Sequence, residues 1–278
     1  MTGENKYRVE YGSVLEALNA AKKHALAGTI AHHKKGGRIP DEDFVGAVHF
    51  DQVEHLAVNG WDEQSDVALQ AASEAIDTVE KMVDMPSFKG TWGVSGCEVD
   101  VARYLEGEPE NMIDYEMIQA PRNGRVITLC ASGSVSWAVS RDTINRRGYI
   151  ITALALALSR IGFATELWLD LSASGAGEAH MRVLVKGPND ELDPARVMYA
   201  YAHPSMFRSI GFGIMHDLPE EWQEKIGVGS YYGYPLNPAH DLPEGTLYLP
   251  CLKTSGDVPD ADQALLGYMR ELGIVDGE

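Results

Sequence analysis

Side chains that can do chemistry gather where the clearest predicted strand ends. Cys130, Ser132, Ser134 and Ser136 come at or after the end of a short apolar run, and Asp170 lies at the end of the next strand-like segment. Hydroxyl and carboxylate oxygens suit a hard cation, a thiol acts as a nucleophile beside a base, and a carboxylate acts as an acid or base. Because α/β sheets bind ligands at the carboxyl ends of their strands, these residues form a candidate strand-end site.

The same residues also have ordinary structural interpretations. The three serines suit a flexible loop, Cys130 suits a buried apolar position, and Asp170 suits a solvated or paired carboxylate. The sequence contains no Gly-x-Ser-x-Gly elbow, phosphate-binding loop, dinucleotide fingerprint, His-Glu-x-x-His pair or Cys-x-x-Cys motif. We therefore favour the structural interpretation and assign no catalytic residue, metal ligand or cofactor from the sequence.

A second group of candidates is the basic segment, which contains Lys22, Lys23, Lys34, Lys35 and Arg38. Residues 1–40 hold seven basic and three acidic side chains, a net charge of +4, whereas the whole chain carries −18. Clustered cations contact phosphates in nucleic-acid-binding proteins, but a strongly negative body repels a polyanion. We therefore favour docking of this segment on an acidic protein surface, its own or another copy's, over binding to nucleic acid.

A third group is the aromatic cluster Tyr231, Tyr232 and Tyr234, which lies in a long glycine-containing stretch. Exposed tyrosines supply rigid contact area at low entropic cost and are enriched at protein interfaces. These residues predict a protein-binding patch, and the alternative is that the loop packs onto its own core.

The elements that must position the strand-end residues follow from the spacing of apolar side chains. Arg125–Cys130 is a short apolar strand, residues 148–161 are apolar on every side, as in a buried helix, and residues 164–171 alternate as in a half-buried strand. A short loop, residues 172–178, then leads to an alternating strand over 179–186. Because that loop is too short for a crossover helix, we predict a right-handed βαβ unit followed by an antiparallel edge strand.

The rest of the chain divides into three parts. Capping-box patterns that begin at Ser13 and at Asp51, together with a long apolar stripe between Ser65 and Asp84, predict a helical annex over residues 1–87, which includes the basic segment. Frequent Gly and Pro over residues 88–124 predict an irregular connection. Residues 125–278 then form the α/β core, with further helices opening at Asp193-Pro194 and Asp260 and a late strand at Leu247–Leu249.

Composition narrows the class of protein. With 278 residues and 45% apolar side chains, the chain is long enough and apolar enough to bury a substantial core. No apolar run is long enough for a membrane span, and the polar start lacks the core of a signal peptide. Three widely spaced cysteines predict free thiols. We expect a soluble, non-secreted globular protein that does not bind membranes.

The predicted order of strand, helix, strand and antiparallel strand resembles the first half of a von Willebrand factor A-like domain. That family holds Mg²⁺ or Mn²⁺ through an Asp-x-Ser-x-Ser motif after its first strand. The matching residues here are Cys130-Ala131-Ser132-Gly133-Ser134, so Cys130 replaces the Asp. The resemblance implies a three-layer, Rossmann-like α/β fold, and the soft thiol at the Asp position implies that the domain is metal-free.

Looser motifs resemble an uncharacterised family of proteins encoded by tailed bacteriophages. They are Val-Gly-Ala-Val-His-Phe-Asp at 45–51, Asn59-Gly60-Trp61, the run from Val99 to Pro109, and Arg147-Gly148. The resemblance implies a phage origin, and hence a place in the host cytoplasm or on the virion. It implies no particular reaction.

These observations favour a phage-encoded interaction or structural protein with a phage or host protein as its partner. Two alternatives remain: a nucleic-acid-binding accessory protein that uses residues 22–38, and a metal-dependent phosphoester hydrolase that uses the strand-end carboxylates. The sequence does not predict an oligomeric state.

Overall fold

The computed structural model describes residues 5–66, 69–70, 73, 88–117, 125–136, 138–238 and 241–274. The strands in chain order are β1 (Lys6–Tyr11), β2 (Phe88–Gly93), β3 (Glu98–Val99), β4 (Met112–Met117), β5 (Val126–Ser132), β6 (Ala164–Asp170), β7 (Ala173–Ser174), β8 (Glu178–Lys186), β9 (Tyr234–Pro235) and β10 (Leu247–Leu249). The helices are α1 (Val14–Ala27), α2 (Glu42–Val45), α3 (Phe50–Asn59), α4 (Val101–Leu105), α5 (Arg141–Arg160), α6 (Pro194–Ala202), α7 (Phe212–Met215), α8 (Glu220–Ile226) and α9 (Ala261–Glu271).

The main sheet mixes parallel and antiparallel strands. Strands β10, β5 and β6 run parallel, β8 returns antiparallel to β6, and the short strand β7 pairs with both β8 and β9. Helix α5 connects β5 to β6 as a crossover, because adjacent parallel strands cannot be joined by a tight turn. The predicted Rossmann-like α/β fold is confirmed, and so is the antiparallel return of β8.

The first strand of the chain belongs to this main sheet. Strand β1 pairs parallel with β8 over six residues, from Lys6 opposite Glu178 to Tyr11 opposite Val183. The prediction that residues 179–186 form an edge strand is therefore wrong. The N-terminal residues assigned to a helical annex supply the sheet with a strand, and α1 buries Leu18 and Ala21 in the same core.

Helix ends follow the local chemistry of the sequence. Ser13 caps α1 by accepting from the Glu16 amide, and Gly28 ends the helix in the left-handed region at φ 71°. Helix α5 begins at Arg141, seven residues before the predicted start, because Ser140 caps it. The predicted cap of α3 at Asp51 is wrong: the His49 side chain takes that role.

Residues 88–117 are not the irregular connection that we predicted. Strands β2, β4 and β3 form a second, antiparallel sheet, and α4 lies in the β3–β4 connection. The closely spaced Gly and Pro residues, from which we predicted irregular structure, instead separate short strands and turns. The helix predicted over residues 65–84 lies mostly outside the described residues. Among those described, no helix is both long and apolar enough to cross a bilayer.

Candidate functional site

A pocket of about 410 Å³ opens at the carboxyl ends of β5 and β6. It is lined by Phe44, Gly133, Ser134, Val135, Ser136, Leu171, Ser172, Ala173, Phe207, Arg208, Gly211, Phe212, Met215, Tyr231, Tyr232, Gly233, Tyr234 and Pro235. Strand ends are the usual ligand-binding edge of an open α/β sheet, and the volume is in the range of ordinary ligand pockets. The structure thus brings two of the predicted strand-end serines together with the predicted tyrosine cluster.

The serine loop after β5 is held by hydrogen bonds. The Gly133 amide donates to the Asp170 carbonyl at 2.7 Å, the Ser134 hydroxyl donates to the Ser172 carbonyl at 2.7 Å, and the Ser134 amide donates to Ser132 Oγ at 3.2 Å. A side chain at position 133 would collide with Phe207 and Leu169, so this position needs glycine. These contacts place the loop along one wall of the pocket.

The tyrosine cluster divides between core and surface. Tyr232 is buried, stacks on Phe212 at 4.1 Å between ring centroids, and its hydroxyl accepts from the Ala31 amide at 2.8 Å. Tyr231 and Tyr234 are 55% and 68% exposed, with ring centroids 5.8 Å apart. Tyr231 and Tyr234 are therefore accessible to a partner, whereas Tyr232 shapes the pocket from within.

Arg208 is the cation of the pocket, and sequence reasoning missed it. It lies in a π-helical segment, Met206–Gly211, a geometry common at functional sites. Its guanidinium donates to the carbonyls of Phe44 at 2.9 Å and Val139 at 3.1 Å, and it lies 4.0 Å from the centre of the Phe44 ring. Burial lowers the pKa of Arg208 to about 10, so it stays charged near neutral pH. The only sequence signal was a single arginine inside an apolar run.

Asp170 and Cys130 lie behind the pocket wall instead of in the pocket. The Asp170 carboxylate accepts from the Ser172 hydroxyl at 2.5 Å and from the Tyr248 hydroxyl at 3.1 Å, and the residue has no exposed surface. Burial raises the pKa of Asp170 to about 6. Cys130 is 1% exposed, and burial raises the pKa of its thiol. Neither side chain can reach a ligand in the pocket, so the strand-end carboxylate offers no acid or base there.

The ring of His180 is engaged by acidic side chains. Its Nε2 lies within hydrogen-bond distance of Glu178 Oε2, at 3.0 Å. Its Nδ1 lies 3.3 Å from Asp241 Oδ2, but this second contact is too poorly aligned for a hydrogen bond. Within the described residues, no group of three or more His, Cys, Asp or Glu side chains has the arrangement of a metal site.

The basic segment combines paired and unpaired cations. On α1, Lys22 lies 2.7 Å from Glu54 and Lys23 pairs with Asp217. Lys34, Lys35 and Arg38 are exposed on a short 3₁₀ turn, which is closed by the Lys34 amide donating to the Arg38 carbonyl at 2.7 Å. No carboxylate of the described residues lies within ion-pair distance of these last three cations.

Comparison with known protein families gives a match over almost the whole chain. A family model described as a domain of unknown function (DUF7192) matches residues 1–276. No curated protein and no solved structure matches the chain.

Proposed function

The chain belongs to the family described as a domain of unknown function (DUF7192), and we propose that it is a protein-interaction protein that uses the strand-end pocket. The pocket receives an apolar side chain of the partner, and the exposed rings of Tyr231 and Tyr234 extend the contact around its mouth.

The observation that carries this proposal is that two exposed aromatic rings lie at the mouth of an apolar pocket. Phe207, Phe212 and Met215 supply apolar walls, and the two tyrosines are rigid side chains with a polar end. Interface hot spots have this composition: a buried apolar anchor surrounded by aromatic contacts that exclude water.

The polar groups of the pocket point to the chemistry of the partner. Arg208 carries a positive charge at the pocket wall, and Ser136 adds a hydroxyl. A carboxylate next to the inserted apolar side chain would complement them, because a desolvated guanidinium binds carboxylates by charge-assisted hydrogen bonds. We therefore propose a partner segment with an acidic residue beside its apolar anchor.

The bacteriophage resemblance of the sequence extends the proposal to the identity of the partner. If the resemblance holds, the partner is another phage protein or a host protein, and the two proteins bind in the host cytoplasm or on the virion. A metal ion and a reaction are not required, because the pocket binds through shape and charge.

Site-specific photo-crosslinking tests the proposal. A photoreactive phenylalanine placed at position 231 or 234 is expected to crosslink one protein in extracts of infected cells, whereas the same residue at Leu15, an exposed position of α1 away from the pocket, is not. Filling the pocket with Ser136→Leu should abolish the crosslink without unfolding the protein. Equal labelling at all three positions, or a crosslink that survives Ser136→Leu, would refute the proposal.

A further inference from the structure

One surface of the molecule is cationic and partly apolar. Lys34, Lys35 and Arg38 project from the 3₁₀ turn, and two exposed apolar side chains, Leu26 at 42% and Val48 at 43%, lie beside it. Leu26 packs next to Gly37, and the Val48 carbonyl accepts from the Ile39 amide at 2.9 Å. We call these five residues the basic surface.

A second surface is apolar and surrounded by acidic groups. Val101, Tyr104 and Leu105 share one face of α4, since residues at i, i+3 and i+4 project to the same side. They are 64%, 63% and 78% exposed, a degree of exposure that is unusual for neighbouring apolar side chains on one helix. We call these three residues the α4 face.

The charge around the α4 face is opposite to that of the basic surface. Residues 88–117 contain seven acidic and two basic side chains, a net charge of −5. Glu106, Glu108 and Glu110 directly follow the α4 face and are exposed. Nucleic acid and anionic membranes would be repelled by this region, whereas a cationic protein surface with apolar side chains fits it.

We propose that the α4 face of one molecule docks on the basic surface of a second copy. The same chain carries both complementary surfaces, so the occupant needs no other source. Pairing two α4 faces, or two basic surfaces, would instead bring like charges together. Each copy contributes a different patch to the contact, which builds a reciprocal two-fold dimer, a ring or a filament.

Such a contact is electrostatic in part and weakens with salt. Exposed ion pairs contribute little individually, and added salt screens them. Reversing the three cations of the basic surface is expected to weaken association by about tenfold or more. This inference involves neither the pocket nor its tyrosines, so it stands or fails independently of the proposed function.

Sedimentation velocity with complementary variants tests the contact. The basic-surface variant Lys34→Glu/Lys35→Glu/Arg38→Glu and the α4-face variant Val101→Ser/Tyr104→Ser/Leu105→Ser should each remain monomeric where the parent forms concentration-dependent assemblies. An equimolar mixture should form dimers that grow no further, because each variant retains the surface that the other lacks. Leu15→Ser, which changes an exposed leucine at the opposite end of α1, is the matched control and should assemble like the parent.

A second, charge-reversing variant keeps the test informative if the α4-face variant does not fold. Glu106→Lys/Glu108→Lys/Glu110→Lys alters only exposed side chains and should regain pairing when mixed with the basic-surface variant. A parent that stays monomeric at all concentrations in low salt would refute the inference. So would assemblies that survive both variants, or submicromolar binding of a DNA duplex that the basic-surface variant abolishes while assembly is unchanged.

Discussion

The Tyr248 hydroxyl donates a hydrogen bond of 3.1 Å to the Asp170 carboxylate, across the intervening strand β5. The Ser172 hydroxyl donates to the other carboxylate oxygen at 2.5 Å. Both hydrogen bonds favour the ionised carboxylate, yet burial outweighs them and raises the pKa of Asp170 to about 6. The group is therefore a fixed structural element whose ionisation opposes folding.

Replacing Asp170 by Asn should remove this opposition. A carboxyl whose pKa is raised on folding stabilises the protein fully below its unfolded pKa, and that contribution is lost as the pH rises from about 4 to about 6. Asp170→Asn should raise the free energy of unfolding at pH 8 by about 1–3 kcal/mol relative to the parent, with little gain at pH 4. Urea unfolding across this pH range measures the difference.

Glu166→Gln is the control for this change. It makes the same carboxylate-to-amide substitution on the same strand, where Glu166 accepts from the Thr128 hydroxyl at a half-buried position. It measures what the amide substitution itself does to the free energy of unfolding at a strand position. A difference between parent and Asp170→Asn that does not grow with pH would show that the carboxyl already ionises normally in the folded protein.

Local patterns predicted the elements whose signals lie within a few residues. The apolar helix α5, the alternating strands β6 and β8, and the caps Ser13 and Asp193 all have such signals. Strand β1 has the same kind of alternation, with Tyr7, Val9 and Tyr11 separated by charged residues, but no local feature indicates its partner β8, which lies about 170 residues further along the chain. The second sheet was missed for another reason: its strands are short and its glycines resemble those of a loop.

The candidate site was predicted only in part because burial depends on tertiary packing. The sequence pointed to Ser134, Ser136 and the tyrosines as candidates, but it did not indicate that they share one pocket. Tyr232 and its two exposed neighbours have the same residue type and the same local context. Only packing against Phe212 and the Ala31 amide separates Tyr232 from them.

His203 should make the protein sensitive to acid. Its ring is buried, Nδ1 lies 2.8 Å from the Ser205 hydroxyl, and Trp61 packs edge-on against it. Burial lowers the pKa of His203 to about 3. The neutral ring therefore stabilises the fold above pH 6.5, and this contribution is lost as the pH falls towards 3.

His203→Asn keeps a hydrogen-bond acceptor without a group that titrates in this range. At about pH 4.5 it should recover about 2–3 kcal/mol of the stability that the parent loses below about pH 6.5. Because Asp170 has the opposite pH dependence in an overlapping range, the comparison is best made in an Asp170→Asn background. Equal acid sensitivity of the two proteins would show that His203 takes up a proton as readily in the folded protein as in the unfolded chain.

Millimolar Mg²⁺ should not stabilise the protein. A hard cation needs accessible carboxylate oxygens, but the Asp170 carboxylate is fully buried and already accepts from the Ser172 and Tyr248 hydroxyls. Cys130, at the position where a carboxylate would be needed, is buried and poorly suited to such an ion. The melting temperature should change by less than about 1 °C. A reproducible rise that Ser132→Ala abolishes would establish a metal site.

Gly148 lets helices α5 and α6 approach each other closely, and a methyl group there should be strongly destabilising. A Cβ at this position would overlap the Cα and Cβ atoms of Ala202, so α5 and α6 would have to separate. Gly148→Ala should lower the free energy of unfolding by about 2–4 kcal/mol through overpacking.

The control is Gly267→Ala, which makes the same change within α9, where no atom lies within 4 Å of the added Cβ. It should raise stability by about 0.5–1 kcal/mol, because alanine loses less backbone entropy in a helix. Urea unfolding of the two variants decides between close packing and helix propensity, and equal effects would show that α5 and α6 are not in direct contact at Gly148.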